Sequence, residues 1–142
     1  MEWFGTAGAN LPASELQRHI RIENLGEWCA APPAIDGAAV QRGTGGWAGL
    51  GVHREVIRDG LRFTLPGSAH ALQWTLTAGA RAGTVQVHCT LNTPMADAAA
   101  VAALERFLAD WCAGLESGAR RVQQQRAERN AAVCEECPPW FG

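Results

Sequence analysis

The chain contains no lysine and no tyrosine; all twelve of its basic residues are arginines, set against fourteen acidic ones. Together with the surplus of alanine and glycine, this is a compositional bias without mechanistic content. The formal charge of -2 excludes a global electrostatic attraction to nucleic acid. No stretch approaches the ~20 consecutive apolar residues that a membrane span needs. The start Met1-Glu2-Trp3-Phe4 has neither a basic n-region nor an apolar h-region, so a secretory leader is not expected. A cytoplasmic location is, where thiols stay reduced. Five cysteines, an odd number, argue against a disulfide framework. The chain has no H-x-x-x-H, no G-x-S-x-G, no P-loop and no Rossmann fingerprint, so no catalytic residue can be assigned.

What remains is an ordinary globular composition, 47% apolar and 18% charged over 142 residues, which predicts one core. Residues 1–9 suit a short strand. Pro12 suits the first turn of a helix, and Ser14-Glu15-Leu16-Gln17 reads as a capping box. Leu16, Ile20, Leu25, Trp28 and Cys29 then mark two short helices with a break at Asn24–Gly26, ended by Ala31-Pro32-Pro33. A strand at Ala38–Arg42 and a turn at Gly43–Gly46 follow, and Val52–Arg58 reads as another strand. Leu61, Phe63 and Leu65, then Leu72, Trp74 and Leu76, then Val85, Val87, Cys89 and Leu91 alternate with polar residues. Three runs of period two predict an antiparallel sheet with one face buried. Asp59-Gly60, Pro66-Gly67 and Ala82-Gly83 supply the turns.

A long helix is predicted from about Asp97 to Ala132, with Thr93 as cap and Pro94 at its first position. Its apolar stripe, Val101, Leu104, Phe107/Leu108, Trp111 and Leu115, ends at Val122. The following Gln123-Gln124-Gln125-Arg126-Ala127-Glu128-Arg129-Asn130 offers nothing to bury. Residues 1–122 are therefore the expected domain, and 123–142 an exposed helix end with a Cys-containing tail.

Leu11-Pro12-Ala13-Ser14-Glu15-Leu16 resembles the entry into the first helix of the START-like superfamily, which includes the Bet v 1, polyketide cyclase and Hsp90-activator-like proteins. Trp28 falls where a tryptophan commonly closes that family's second helix. Leu72-Gln73-Trp74-Thr75-Leu76, Gly83-Thr84-Val85 and Leu104–Leu115 resemble its last two strands and terminal helix. The likeness spans most of residues 10–116. The chain departs from the family in a short first strand, in Gln17 where an aromatic is frequent, and in a glycine-rich middle. The resemblance implies an α+β helix-grip fold, an antiparallel sheet packed on a long C-terminal α-helix, with an apolar cavity between them. Type III secretion chaperones also combine a small sheet with a terminal amphipathic helix, and on topology they are the alternative.

The candidate sites fall in two places. Phe63, Trp74, Phe107 and Trp111 are the candidates to line a cavity and bind a hydrophobic small molecule; the plainer expectation is that they are core. Cys134-x-x-Cys137 has metal-type spacing, and two thiolates can take two corners of a tetrahedral zinc site. Two further ligands are needed, and a homodimer would bring four thiols; otherwise the pair is incidental. Glu135, Glu136 and the end of the helix dipole raise thiol pKa values there, which disfavours a redox nucleophile. Arg126, Arg129, Trp140 and Phe141 are the candidates to meet a protein partner. Three functions stay open: a non-catalytic carrier of a hydrophobic molecule, a protein-interaction or chaperone-like domain working through the helix end and CEECPPWF tail, and a cyclase-type enzyme.

Overall fold

The computed structural model describes residues 2–29, 47, 51–66, 71–79, 81–92 and 98–135, with side chains given up to Ala131. The predicted strand at 38–42, the turn at 43–46, the cap at Thr93-Pro94, Gly67 and the tail beyond Glu135 lie outside these residues.

Strand β1 (Glu2–Ala7) is followed by helix α1 (Ala13–His19), a 3-10 turn (Ile22–Asn24) and the single turn α2 (Leu25–Trp28). Strands β2 (His53–Ile57), β3 (Gly60–Thr64), β4 (Gln73–Ala78) and β5 (Val85–Thr90) come next, and helix α3 (Ala98–Glu135) ends the described chain. The five strands form one antiparallel sheet in the order β1-β5-β4-β3-β2. The fold is α+β, a sheet with a long C-terminal helix.

Register sorts the side chains onto two faces. Phe63 pairs with Trp74, Trp74 with Cys89 and Cys89 with Trp3, and the inward members of this row meet the helices. One residue along, Glu55, Arg62, Thr75, His88 and Phe4 make a row on the outer face. The alternation that predicted the sheet is thus realised strand by strand. Helix α3 lies against β1 and β5, α1 against β3 and β4, and α2 against α3. The sheet approaches α3 closely at Gly5, where a Cβ would stand 2.7 Å from Leu108 Cδ2. Gly8 N–H closes the end of β1 onto α3 by donating to Glu116 Oε2 at 3.0 Å.

Two local readings are corrected. Helix α1 starts at Ala13, with Pro12 in extended conformation as its cap residue and no side-chain cap bond. Ser14 is therefore inside the helix and forms no capping box. Gln17, freed from that role, donates through Nε2 to the carbonyls of Ile57 (2.9 Å) and Gly60 (3.2 Å), clasping the β2–β3 hairpin. The helix break falls earlier than Asn24, at Ile20–Arg21, where Arg54 Nε donates to the Ile20 carbonyl at 2.9 Å and Nη2 to that of Gln17. These carbonyls end α1, and a guanidinium satisfies them as well as the next turn would have done. Gly60 does not make the turn; Arg58-Asp59 do, and Gly60 opens β3 because a Cβ there would lie 1.8 Å from the Leu76 carbonyl oxygen.

Helices α2 and α3 meet through glycines. A Cβ on Gly114 would stand 1.6 Å from the Trp28 carbonyl oxygen, and one on Gly118 would stand 2.0 Å from Trp28 Cζ3. Removing two side chains four residues apart opens a slot in α3 that the indole fills, and Arg121 covers the ring at 5.2 Å.

Candidate functional site

Phe63, Trp74, Phe107 and Trp111 come together as expected, and they are at most 2% exposed. Their rings touch one another rather than line a space. Phe63 stacks on Trp74 at 5.4 Å and on Trp111 at 6.0 Å, while Phe107 stands edge-on to Trp74 at 5.2 Å and to Trp111 at 6.5 Å. Trp47 closes the group at 5.5 Å from Trp74, held by its Nε1–H donating to the Cys29 carbonyl at 2.6 Å. Such pairs contribute about 0.5–1.5 kcal/mol each beyond their burial. The indole N–H groups of Trp74 and Trp111 are buried and have no hydrogen-bond partner. Leaving a buried donor unpaired costs about 1–3 kcal/mol. No polar or charged residue is buried among the described ones.

Cys29 and Cys89 are buried and Cys112 is half-buried. Burial pushes the Cys89 thiol up to about 12, and the neighbouring Cys112 and Cys29 add to the shift. Burial also raises Cys112, helped by Glu116. Thiols held protonated in this way are small apolar groups, not nucleophiles. Of the proposed zinc pair, Cys137 and the side chain of Cys134 lie outside the described residues, as do Trp140 and Phe141. Among the described residues no group of three or more His, Cys, Asp or Glu could hold a metal.

Arg126 and Arg129 are described, and they stand where α3 leaves the domain. Val122 is the last buried residue of the helix; every side chain from Gln123 to Ala131 is exposed. Arg126 reaches across to pair with Glu15 of α1, whose other carboxylate oxygen accepts from His19 Nε2 at 2.8 Å. Burial by itself would raise the Glu15 pKa. The hydrogen bond from His19 and the charge and hydrogen bond of Arg126 outweigh it and hold the carboxyl below its ordinary value.

This contact walls a small cleft of about 60 Å³ lined by Arg18, His19, Val122, Gln125, Arg126 and Arg129. Past Arg18 and His19 it adjoins a hollow of about 380 Å³ that Arg21, Glu23 and Asn24 complete. A third cleft, about 240 Å³, sits between the β1–α1 and β4–β5 connections. All three are outside the sheet–helix interface.

Sequence reasoning found Arg126 and Arg129 but not Arg18 or Glu15 as their neighbours. Glu15 and His19 stand four apart on α1; the meeting of Glu15 with Arg126 spans 111 residues and leaves no local pattern. Arg54 and Arg62 are engaged within the domain, Arg54 on α1 and Arg62 Nη1 with Glu55 at 3.4 Å. His88 is half-buried on the outer sheet face, stacked on exposed Phe4 at 4.3 Å and 3.2 Å from Glu2. His53 is exposed, and His70 lies outside the described residues. No protein-family model, no curated protein and no solved structure matches the chain.

Proposed function

We propose that the protein is an interaction module whose working element is the polar extension of α3, from Gln123 onward, with the Cys- and aromatic-bearing segment that follows it. One observation carries this reading: the 38-residue helix is buried along one face as far as Val122 and is exposed on every side from Gln123 to Ala131. A helix that is polar all round gains nothing from its own core, and such elements bridge to another body or rely on side-chain pairs. The described extension has one such pair, Gln124 Nε2 to Glu128 Oε1 at 3.2 Å. A rigid arm of this kind presents the tail sequence CEECPPWF to a partner, and dimerisation through zinc at Cys134 and Cys137 is one form that contact would take.

The test is a photo-crosslinking amino acid placed at Gln124 and, as control, at Thr75 on the outer sheet face, in cells that make the protein. A discrete adduct from position 124 and none from 75 supports the module. Indistinguishable adduct patterns from both positions reject it. Removing residues 123–142 is expected to shift the melting temperature by no more than about 2–4 °C, the equivalent of ~1 kcal/mol, while abolishing the adduct partner's co-purification.

A second reading has its own observation. The unpartnered indole N–H groups of Trp74 and Trp111 favour a hydrophobic molecule carrying an acceptor, admitted when the four rings part. Native mass spectrometry decides it: extra mass lost on denaturation supports a carrier, and an apo chain purified gently from its own cells argues against one.

A further inference from the structure

Resting on the interaction-module reading, we propose that the cleft at the root of the α3 extension takes an acidic peptide segment of the partner, gripped between Arg18 of α1 and Arg129 of α3.

The cleft is built before any ligand arrives. Arg126, which lines the cleft with His19, pairs with Glu15, whose other carboxylate oxygen accepts from His19; the carboxylate offsets the charge of Arg126 and ties the extension to α1. Arg18 and Arg129 line the same cleft and have no carboxylate partner among the described residues. Arg21 adds a third cation, its Nε–H donating to the Arg18 carbonyl at 3.3 Å; that bond orients the guanidinium without cancelling its charge. A chain with a formal charge of -2 therefore concentrates uncompensated positive charge at the point where its helix departs.

The geometry selects the occupant. A guanidinium fork matches a carboxylate with two parallel hydrogen bonds. The inner cleft, about 60 Å³, has room for one such group, and the adjoining hollow of about 380 Å³ has room for the next side chain. Glu15 and Glu23 interrupt the basic surface, which suits discrete carboxylates at set positions. A nucleic-acid backbone or an anionic membrane would meet those two carboxylates with repulsion, and neither finds the run of cations it needs. Acidic-motif capture by clustered arginines is a known recognition mode.

The experiment uses the full chain and two fluorescein-labelled nonapeptides, one with four Glu spaced along a Gly/Ser backbone and the other with the four replaced by Gln. Fluorescence anisotropy should show saturable binding of the Glu peptide that weakens as salt rises, and none of the Gln peptide. Arg18→Ala and Arg129→Ala should each weaken it about two- to five-fold, as for exposed ion pairs, and Arg18→Glu/Arg129→Glu should abolish it. Both residues are on the surface, and equal melting temperatures will show that the variants fold. Equal affinity for both peptides, insensitivity of the Glu peptide to the double reversal, or tighter binding to an oligonucleotide or to vesicles containing phosphatidylserine would each overturn the proposal. Should position 124 crosslink a partner while the Glu peptide fails to bind, the acidic-segment claim falls and the module stands. Should the Glu peptide bind while position 124 gives no discrete adduct, the module reading falls, and with it the proposal that the segment belongs to its partner.

Discussion

Helix α3 is two helices in one. From Ala98 to Val122 it follows the rules of a core element, with Leu104, Phe107, Trp111 and Leu115 at most 2% exposed and glycines where another backbone comes close. From Gln123 it follows none of them, yet the hydrogen-bonded ladder continues to Glu135. The first half is helical because packing demands it; the second is helical because propagation from an existing helix costs little once nucleation has been met. Arg, Gln, Ala and Glu are good helix formers, so the extension stays wound although every side chain from Gln123 to Ala131 is exposed. The contrast teaches that order and burial are separable here, and that the extension is held as a shape rather than as part of the core.

The sharpest way to break the contrast is to remove a large side chain from each half. Trp111→Ala should cost about 3–5 kcal/mol, the range for deleting a buried aromatic, and on a domain of this size that threatens folding itself. Gln124→Ala should stay within about 0.5 kcal/mol. Chemical denaturation of the two variants, analysed for midpoint at constant slope, checks both. Similar losses in the two would mean that the extension contributes to the core after all.

Alanine and glycine should reverse their usual order along the same helix. In a free helix Gly→Ala gains about 1 kcal/mol. Gly118→Ala should instead destabilise by about 1–3 kcal/mol through overpacking, because its Cβ would stand 2.0 Å from the Trp28 ring. Ala127→Gly, on the exposed part, should follow the ordinary rule, loosening the extension locally while leaving the domain's melting temperature almost unchanged. Amide hydrogen exchange separates the two effects. A neutral Gly118→Ala would mean that α2 yields more easily than its slot suggests.

That reversal also marks how far the sequence could be read. Alternation placed Leu61, Phe63, Trp74, Leu76, Val85 and Val87 on the buried face, and helical spacing ended the stripe at Val122, because both signals are local and periodic. Gly114, Gly118 and Gly60 were read as nothing or as a turn; their reason is a carbonyl or ring from a distant segment, which no period encodes. Ser14–Gln17 had the letters of a capping box, but the helix begins two residues earlier than that motif requires, and Gln17 serves the β2–β3 hairpin instead. For the candidate sites, pattern brought Phe63, Trp74, Phe107 and Trp111 to one place. It could not show that they fill one another's space, which depends on volumes and angles. The arginine pair on the extension was legible as charge, and its position opposite Arg18 was not.

A small effect is expected at the seam between the halves. The Arg126–Glu15–His19 contact is the described side-chain link between the extension and the rest of the domain, and Arg126 is 57% exposed, so its worth is that of a surface pair, within ~1 kcal/mol. Its pH dependence has a definite sign. The ordinary carboxyl value is 4.5 and the folded protein holds Glu15 below it. The folded state therefore favours the carboxylate, its stabilising contribution is complete above 4.5, and it fades as pH falls through the lower folded value. Acidification below 4.5 should lower amide protection, measured against the intrinsic exchange rate at each pH, in the first turn of the extension before it affects Trp111 or its neighbours. Glu15→Gln should show that lower protection already at neutral pH and lose the pH step. If the wild-type extension keeps the same protection above and below this range while the core stays closed, the seam is held by the helix ladder alone, and the cleft does not depend on Glu15.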